Sequence, residues 1–222
     1  MTNHTKPPIQ AVLFDAFGTH VDASTGDNYS PFAHLIGSFD LPGEDRVRIG
    51  RMLMTSSLPT IDDAANRLED MFPGKRIDAV SRRAAVEELE KGLARTVQFV
   101  GVDHLLPVLR QAGVKLALVS NLASPYRRAI EQCGIDRLVD VLVYSFDVGY
   151  RKPEPEIYEI ALSRLDVAAE HAAMIGDDEV ADGEGPRSVG LRAQVIKEGS
   201  LDGGKSLAAA IQWVLASREN GL

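Results

Sequence analysis

Short apolar runs recur along this chain at residues 11–14, 114–119, 139–144, 172–175 and 191–196, and each is followed by a helical pattern. Runs of that length bounded by turn residues predict strands. Three of the helices between them are well punctuated. One over 103–112 stops at Gly113, one over 124–133 opens with Ser124-Pro125 and stops before Gly134, and one over 154–165 follows Lys152-Pro153. If Asp103 caps the first of these, Pro107 falls in its first turn, where a missing N–H costs little. A last helix over 205–217 carries Trp213 beside Ile211 and Val214, a core-packing pattern. Strand and helix in alternation predict an α/β fold, a parallel sheet with helices on both faces.

Residues 21–100 break that rhythm. After the polar stretch "DASTGDNYSP" come helical patterns at 45–54, 61–71 and 76–96, with no convincing strand. The expected organisation is therefore a core of residues 1–20 and 101–222, interrupted by a small all-α unit at about 21–100.

Composition narrows the function classes. The 222 residues are 45% hydrophobic and 25% charged, ordinary for a soluble globular protein able to bury a full core. A net charge of -8 argues against nucleic-acid binding, which needs clustered Lys and Arg, and an acidic surface repels anionic membranes. No run approaches the roughly 18 apolar residues of a membrane span, and "MTNHTKPPIQ" lacks the apolar stretch of a signal peptide. The single cysteine, Cys133, reads as a small buried hydrophobe and suits a reducing compartment. The expectation is a cytoplasmic monomer or homodimer acting on a small molecule, not on nucleic acid or membrane.

In open parallel sheets, ligands bind beyond the carboxyl ends of the strands. Those positions hold Asp15, Ser120-Asn121 and Gly176-Asp177-Asp178, and Lys152 stands at the entrance to a helix. Asp15, ending an apolar run before Gly18-Thr19, has little structural purpose there and suits a nucleophile attacking a phosphoryl group. Two approaching anions repel, so such a site must supply positive charge; Lys152 is one source. Several carboxylates gathered together are costly without a cation, and hard oxygen ligands suit Mg2+. Substrate-binding candidates are Gly18, Thr19, Ser120, Asn121 and Lys152.

Four segments in order, "LFDAFGT", "LVSN", "RKPEPEIY" and "GDDEVAD" followed by "GEGPRSVG", resemble the motifs of the haloacid dehalogenase superfamily of hydrolases. The likeness covers essentially the whole chain. It implies a Rossmann-like core with a helical cap that selects the substrate, and catalysis by Asp15, Ser120 and Lys152. It also implies Mg2+ held by Asp15, the backbone carbonyl of Phe17 and Asp177, with Asp178 as an additional contact and Asp182 holding a metal-bound water or Lys152.

Phe17 departs from the phosphatase pattern. The family's phosphatases carry an aspartate at this position, two residues after the nucleophile, as general acid and base. Three readings follow: a Mg2+-dependent phosphatase acting on good leaving groups, a 2-haloacid dehalogenase, or a non-catalytic phospho-ligand-binding or regulatory member. "DAFGT" is close to the dehalogenases' aromatic at this position, whereas "GDDEVAD" is acidic where they are uncharged and metal-free. A halocarboxylate would need an arginine clamp, for which Arg46, Arg48 and Arg51 are the candidates. His20 stands where the family usually has an apolar residue; it reads as a partly buried histidine, or as a substitute proton donor. His34, His104 and His171 show no ligand spacing.

Overall fold

The computed structural model describes residues 7–19, 21–22, 31–37, 39, 41–98, 101–196 and 207–219. In chain order its strands are β1 (Ala11–Phe14), β2 (Val21–Asp22), β3 (Val97–Gln98), β4 (Lys115–Ser120), β5 (Val141–Tyr144), β6 (Ala172–Gly176) and β7 (Arg192–Val195). The described residues place five of these in one parallel sheet of order β5-β4-β1-β6-β7. The helices are α1 (Pro31–Ile36), α2 (Gly43–Thr55), α3 (Ile61–Met71), α4 (Ala79–Arg95), α5 (Val102–Gln111), α6 (Arg127–Cys133), α7 (Ser145–Val148), α8 (Pro155–Leu165), α9 (Gly185–Ser188) and α10 (Leu207–Glu219).

β1 lies at the centre of the sheet, and alternation along it sends side chains to both faces. Val12 and Phe14 join Leu106 and Leu109 of α5 and Ile211 and Val214 of α10. Ala11 and Leu13 join Ile157, Ala161 and Leu165 of α8 on the other side. Burial on both faces is why the strand reads as an unbroken apolar run. The arrangement is a Rossmann-like α/β fold, with Trp213 half-buried against the first cluster.

Two expectations shift at α5. Its cap is Gly101, in the left-handed region at φ +91°, and the helix begins at Val102. Pro107 is therefore interior, not in the first turn. The stripe Val102, Leu106 and Leu109, each with 0% exposure, holds the helix across the hydrogen bond that proline removes. Cys133 is half-buried rather than buried, and desolvation pushes its thiol pKa up, which keeps it unreactive.

The inserted helices α1 to α4 bury their apolar faces in a second cluster that includes Phe32, Leu53, Leu68 and Leu89 and is joined by Ala123 and by Ala129 of α6. α3 starts at a reciprocal cap in which Thr60 and Asp63 each satisfy the other's backbone N–H. The segment does contain strand, contrary to the sequence reading. β2 and β3 pair antiparallel, Val21 with Gln98 and Asp22 with Val97, tying the start of the insert to its end. Two-residue strands are too short for a period-2 pattern to show. No helix among the described residues is long and apolar enough to cross a membrane.

Candidate active site

The parallel register puts Phe14 beside Leu118 of β4 and Ile175 of β6, so the residues that follow these strands gather at one edge. Asp15 extends the pairing by donating its N–H to the Ile175 carbonyl at 3.0 Å. Its side chain is met there by Lys152, whose Nζ donates to Asp15 Oδ1 at 2.5 Å and to Asp182 Oδ1 at 2.7 Å. The lysine side chain is only 2% exposed and that of Asp182 1%, so this is a buried charged centre.

Asp182 arrives by a π-helical turn over Glu179–Glu184. Its Oδ2 accepts the Asp178 N–H at 3.1 Å, and a Cβ on Gly176 would lie 2.2 Å from its carboxyl carbon, so the approach requires glycine at 176. Gly18 meets a double requirement: its φ is +79°, and a Cβ there would fall 2.3 Å from Asp177 Oδ2. Carboxylate oxygens of Asp15, Asp177 and Asp182 come within 4.8 Å of one another. Three carboxylates and one ammonium leave a formal surplus of two negative charges, which fits a divalent cation bound by oxygen. Burial, with the fields of Asp182 and Asp177, pushes the Asp15 pKa up to about 7 against the opposing pull of Lys152. Burial alone would lower the Lys152 pKa, but Asp15 and Asp182 outweigh it and hold the ammonium charged.

The other sequence candidates divide. Ser120 is buried at the end of β4. Thr19 is 2% exposed, and its Oγ1 has no hydrogen-bond partner among the described residues, an orphan donor that suits a phosphoryl oxygen. Asp178 is not among the converging carboxylates. It is exposed, and its Oδ1 accepts the N–H groups of Val180 at 2.8 Å and Ala181 at 2.7 Å, which caps the turn that carries Asp182. Asn121 likewise differs from its expected substrate contact. Its amide donates to the Lys152 carbonyl at 2.8 Å and accepts the Lys152 N–H at 2.7 Å, holding the lysine's backbone. Phe17 is half-buried and packs against both the sheet cluster and the insert cluster. His20 lies outside the described residues.

Two residues were missed. Ser145 accepts the Leu122 N–H at 2.9 Å and donates to its carbonyl, fixing the loop after β4. Tyr158 of α8, fully buried, donates from its hydroxyl to the Ala181 carbonyl at 2.5 Å and so pins the turn bearing Asp182. Burial and the nearby carboxylates raise its pKa, so it stays a donor. From sequence it reads as one more core residue beside Ile157 and Ala161. Tyr158→Phe is expected to lower kcat about tenfold with KM little changed, the cost of one buried hydrogen bond. An unchanged kcat in steady-state assays would assign Tyr158 to packing alone.

One edge of the parallel sheet thus gathers a carboxylate at the end of its central strand, a buried lysine and two further acids. Haloacid dehalogenase-like hydrolases match residues 9–190, and the chain belongs to that family. The phosphoglycolate phosphatase of Cupriavidus necator is 28% identical over 229 residues, covering 96% of this chain and 91% of that protein. The ribulose-1,5-bisphosphate 5-phosphatase of Halopiger xanaduensis is 37% identical over 87 residues, which are 39% of this chain and 36% of that protein. A haloacid dehalogenase-family enzyme of Bacteroides thetaiotaomicron, solved with magnesium and inorganic phosphate, superposes with a TM-score of 0.62 at 17% identity, covering 86% of this chain and 96% of that one.

Proposed function

We propose that this chain is a Mg2+-dependent phosphatase of small organic phosphates, working through a phosphoryl group carried on Asp15. The observation that supports it most is the convergence of Asp15, Asp177 and Asp182 around the buried ammonium of Lys152. Relatives named phosphatases agree with it. Asp15, Asp177 and the backbone of Phe17 would hold the cation, which supplies positive charge where carboxylate and phosphoryl anions meet.

The chain's own groups do the rest. Thr19 Oγ1, Ser120 and Lys152 Nζ bind phosphoryl oxygens and align phosphorus with Asp15. An Asp15 oxygen bonds to phosphorus, the bond to the leaving oxygen breaks, and that oxygen departs with the electron pair. Water then attacks the same phosphorus, releasing phosphate and restoring the carboxylate. Phe17 has no proton to give, so the substrates served best leave as stable oxyanions, as acyl phosphates do. Residues 21–100 act as the cap that closes over these loops. Two paired arginines span the junction, Arg51 of α2 with Glu154 beside the lysine loop and Arg128 of α6 with Glu90 of α4.

Phosphate release from acetyl phosphate, p-nitrophenyl phosphate and an alkyl phosphate is expected with Mg2+ in that order of rate, and EDTA is expected to abolish it. Halide released from 2-chloropropionate without metal would replace this reading by the dehalogenase one. Silence in both assays with phosphate still bound would leave a binding protein.

A further inference from the structure

Arg51 stands on α2 of the insert, yet its side chain ends on the segment that carries the site lysine. Its two terminal nitrogens donate to the two carboxylate oxygens of Glu154, Nη1 to Oε1 and Nη2 to Oε2 at 3.2 Å. A guanidinium fork on a carboxylate is the most directional ion pair a protein makes. The same hydrogen bonding holds the Glu154 carboxyl below the usual carboxylate range, so the pair stays charged. α2 also lies against α7, the short helix that leads into the lysine segment.

Glu154 in turn closes the bend in which Lys152 stands. Its N–H donates to the Arg151 carbonyl at 2.7 Å and its Oε2 accepts the Arg151 N–H at 3.3 Å, so one residue satisfies both backbone groups of the other. Lys152 lies between them, and from there its Nζ reaches Asp15 Oδ1 at 2.5 Å and Asp182 Oδ1 at 2.7 Å. Asn121, in the loop after β4, grips the backbone N–H and carbonyl of Lys152. The lysine is therefore held from two directions, by the core through Asn121 and by the insert through Arg51 and Glu154. Stability is not what the second hold supplies, because the Arg51 and Glu154 side chains are 47% and 25% exposed and pairs of that kind contribute little. Register is what it can supply, since displacing a catalytic group by 1 Å costs up to about 10^2 in rate.

We propose that Arg51 is a positioning residue for Lys152, acting through Glu154, so that the ammonium is aligned on Asp15 when α2 is seated on the lysine segment. This deepens the phosphatase reading and rests on it for the effect on rate.

Two readouts on the full chain test it. Arg51→Met keeps the stem and removes the fork; its kcat for acetyl phosphate with Mg2+ is expected to fall about tenfold, with KM changed less than about twofold and Tm within about 2 °C of native. Arg51→Lys is expected to recover about half of the lost rate. Adding Arg51→Met to Glu154→Ala is expected to cost nothing further, because its route to the lysine is already gone. In EDTA, where no turnover is needed, amide hydrogen exchange at Arg151 and Glu154 is expected to quicken at least about threefold in Arg51→Met. Arg128→Met, which breaks the other ion pair across the junction, is expected to change neither readout.

A raised KM at unchanged kcat would make Arg51 a direct substrate contact and overturn the proposal. So would a loss that multiplies with that of Glu154→Ala, or an equal effect from Arg128→Met. Quickened exchange in a chain that releases no phosphate would keep the tether and defeat the phosphatase reading. Phosphate release with unchanged exchange would do the reverse.

Discussion

Asp15→Asn is expected to abolish phosphate release, by roughly 10^4-fold or more, while making the metal-free protein more stable at pH 8. The loss of turnover follows from the geometry. Asp15 is the carboxylate at the end of the central strand, and an amide is a poor nucleophile toward phosphorus; removing a nucleophile costs on this scale elsewhere. The gain in stability follows from the charge balance. Without a cation, burial and two neighbouring acids hold the Asp15 pKa up at about 7 against an ordinary 3.8. The folded state then binds this proton more tightly than the unfolded chain does. Stability from this group is full below about pH 4, declines as pH rises towards 7, and is absent at pH 8. Asparagine keeps the shape, removes the repulsion and leaves Lys152 paired with Asp182 at 2.7 Å. Melting curves in EDTA at pH 5 and pH 8 are expected to show a falling Tm for the native protein and a flatter profile for Asp15→Asn. Saturating Mg2+ at pH 8 is expected to raise the native Tm by about 5–10 °C when present at about 100 times its Kd, and to raise that of the variant less. A variant that keeps its turnover would remove Asp15 from the chemistry. One that melts lower than the native chain in EDTA at pH 8 would show that the carboxylate is not under strain.

The same residues show what a sequence can and cannot reveal. The three central strands β1, β4 and β6 are legible because both their faces are covered, which makes each an apolar run closed by a polar residue, whereas the edge strand β7 is half-buried and carries Arg192 and Gln194. The acids at the strand ends are legible for the same reason, since the register of β1 with β4 and β6 leaves them no alternative edge. Orientation is another matter. Asp177, Asp178 and Asp182 are equivalent as letters, but the π-helical turn directs Asp182 to the lysine and leaves Asp178 outside as its cap. No periodicity signals that turn, and the close approach of the Asp182 carboxylate that it delivers depends on glycine at 176. Asn121 and Tyr158 are hidden for a related reason. Asn121 acts through two hydrogen bonds and Tyr158 through one, each to a distant backbone, and a pattern of apolar and polar positions carries no information about such contacts.

Phe17→Asp is expected to raise kcat/KM for alkyl phosphates by about 10^2 to 10^4 while changing acetyl phosphate hydrolysis little. An alkoxide is a poor leaving group and needs a proton as the P–O bond breaks; an acyl oxyanion does not. On the proposed mechanism a carboxyl group two residues beyond Asp15, in the same loop, would serve the leaving oxygen, and this chain places a phenyl ring there instead. The ring packs on both the sheet cluster and the insert cluster, so removing it carries a structural cost of about 1–2 kcal/mol for a half-buried aromatic. The variant is therefore expected to melt lower yet turn over alkyl phosphates faster, a combination that lost packing alone does not produce. The contrast between the two substrates is the decisive readout. Equal gains on both would mean that the aspartate acts on the electrostatics of Asp15 and not on the leaving group. No gain on either, in a folded protein that still hydrolyses acetyl phosphate, would mean that another group already supplies the proton, with His20 the nearest candidate in the chain. If the expected split appears, the aromatic at position 17 is the feature that restricts this hydrolase to phosphates whose leaving oxygen departs unprotonated.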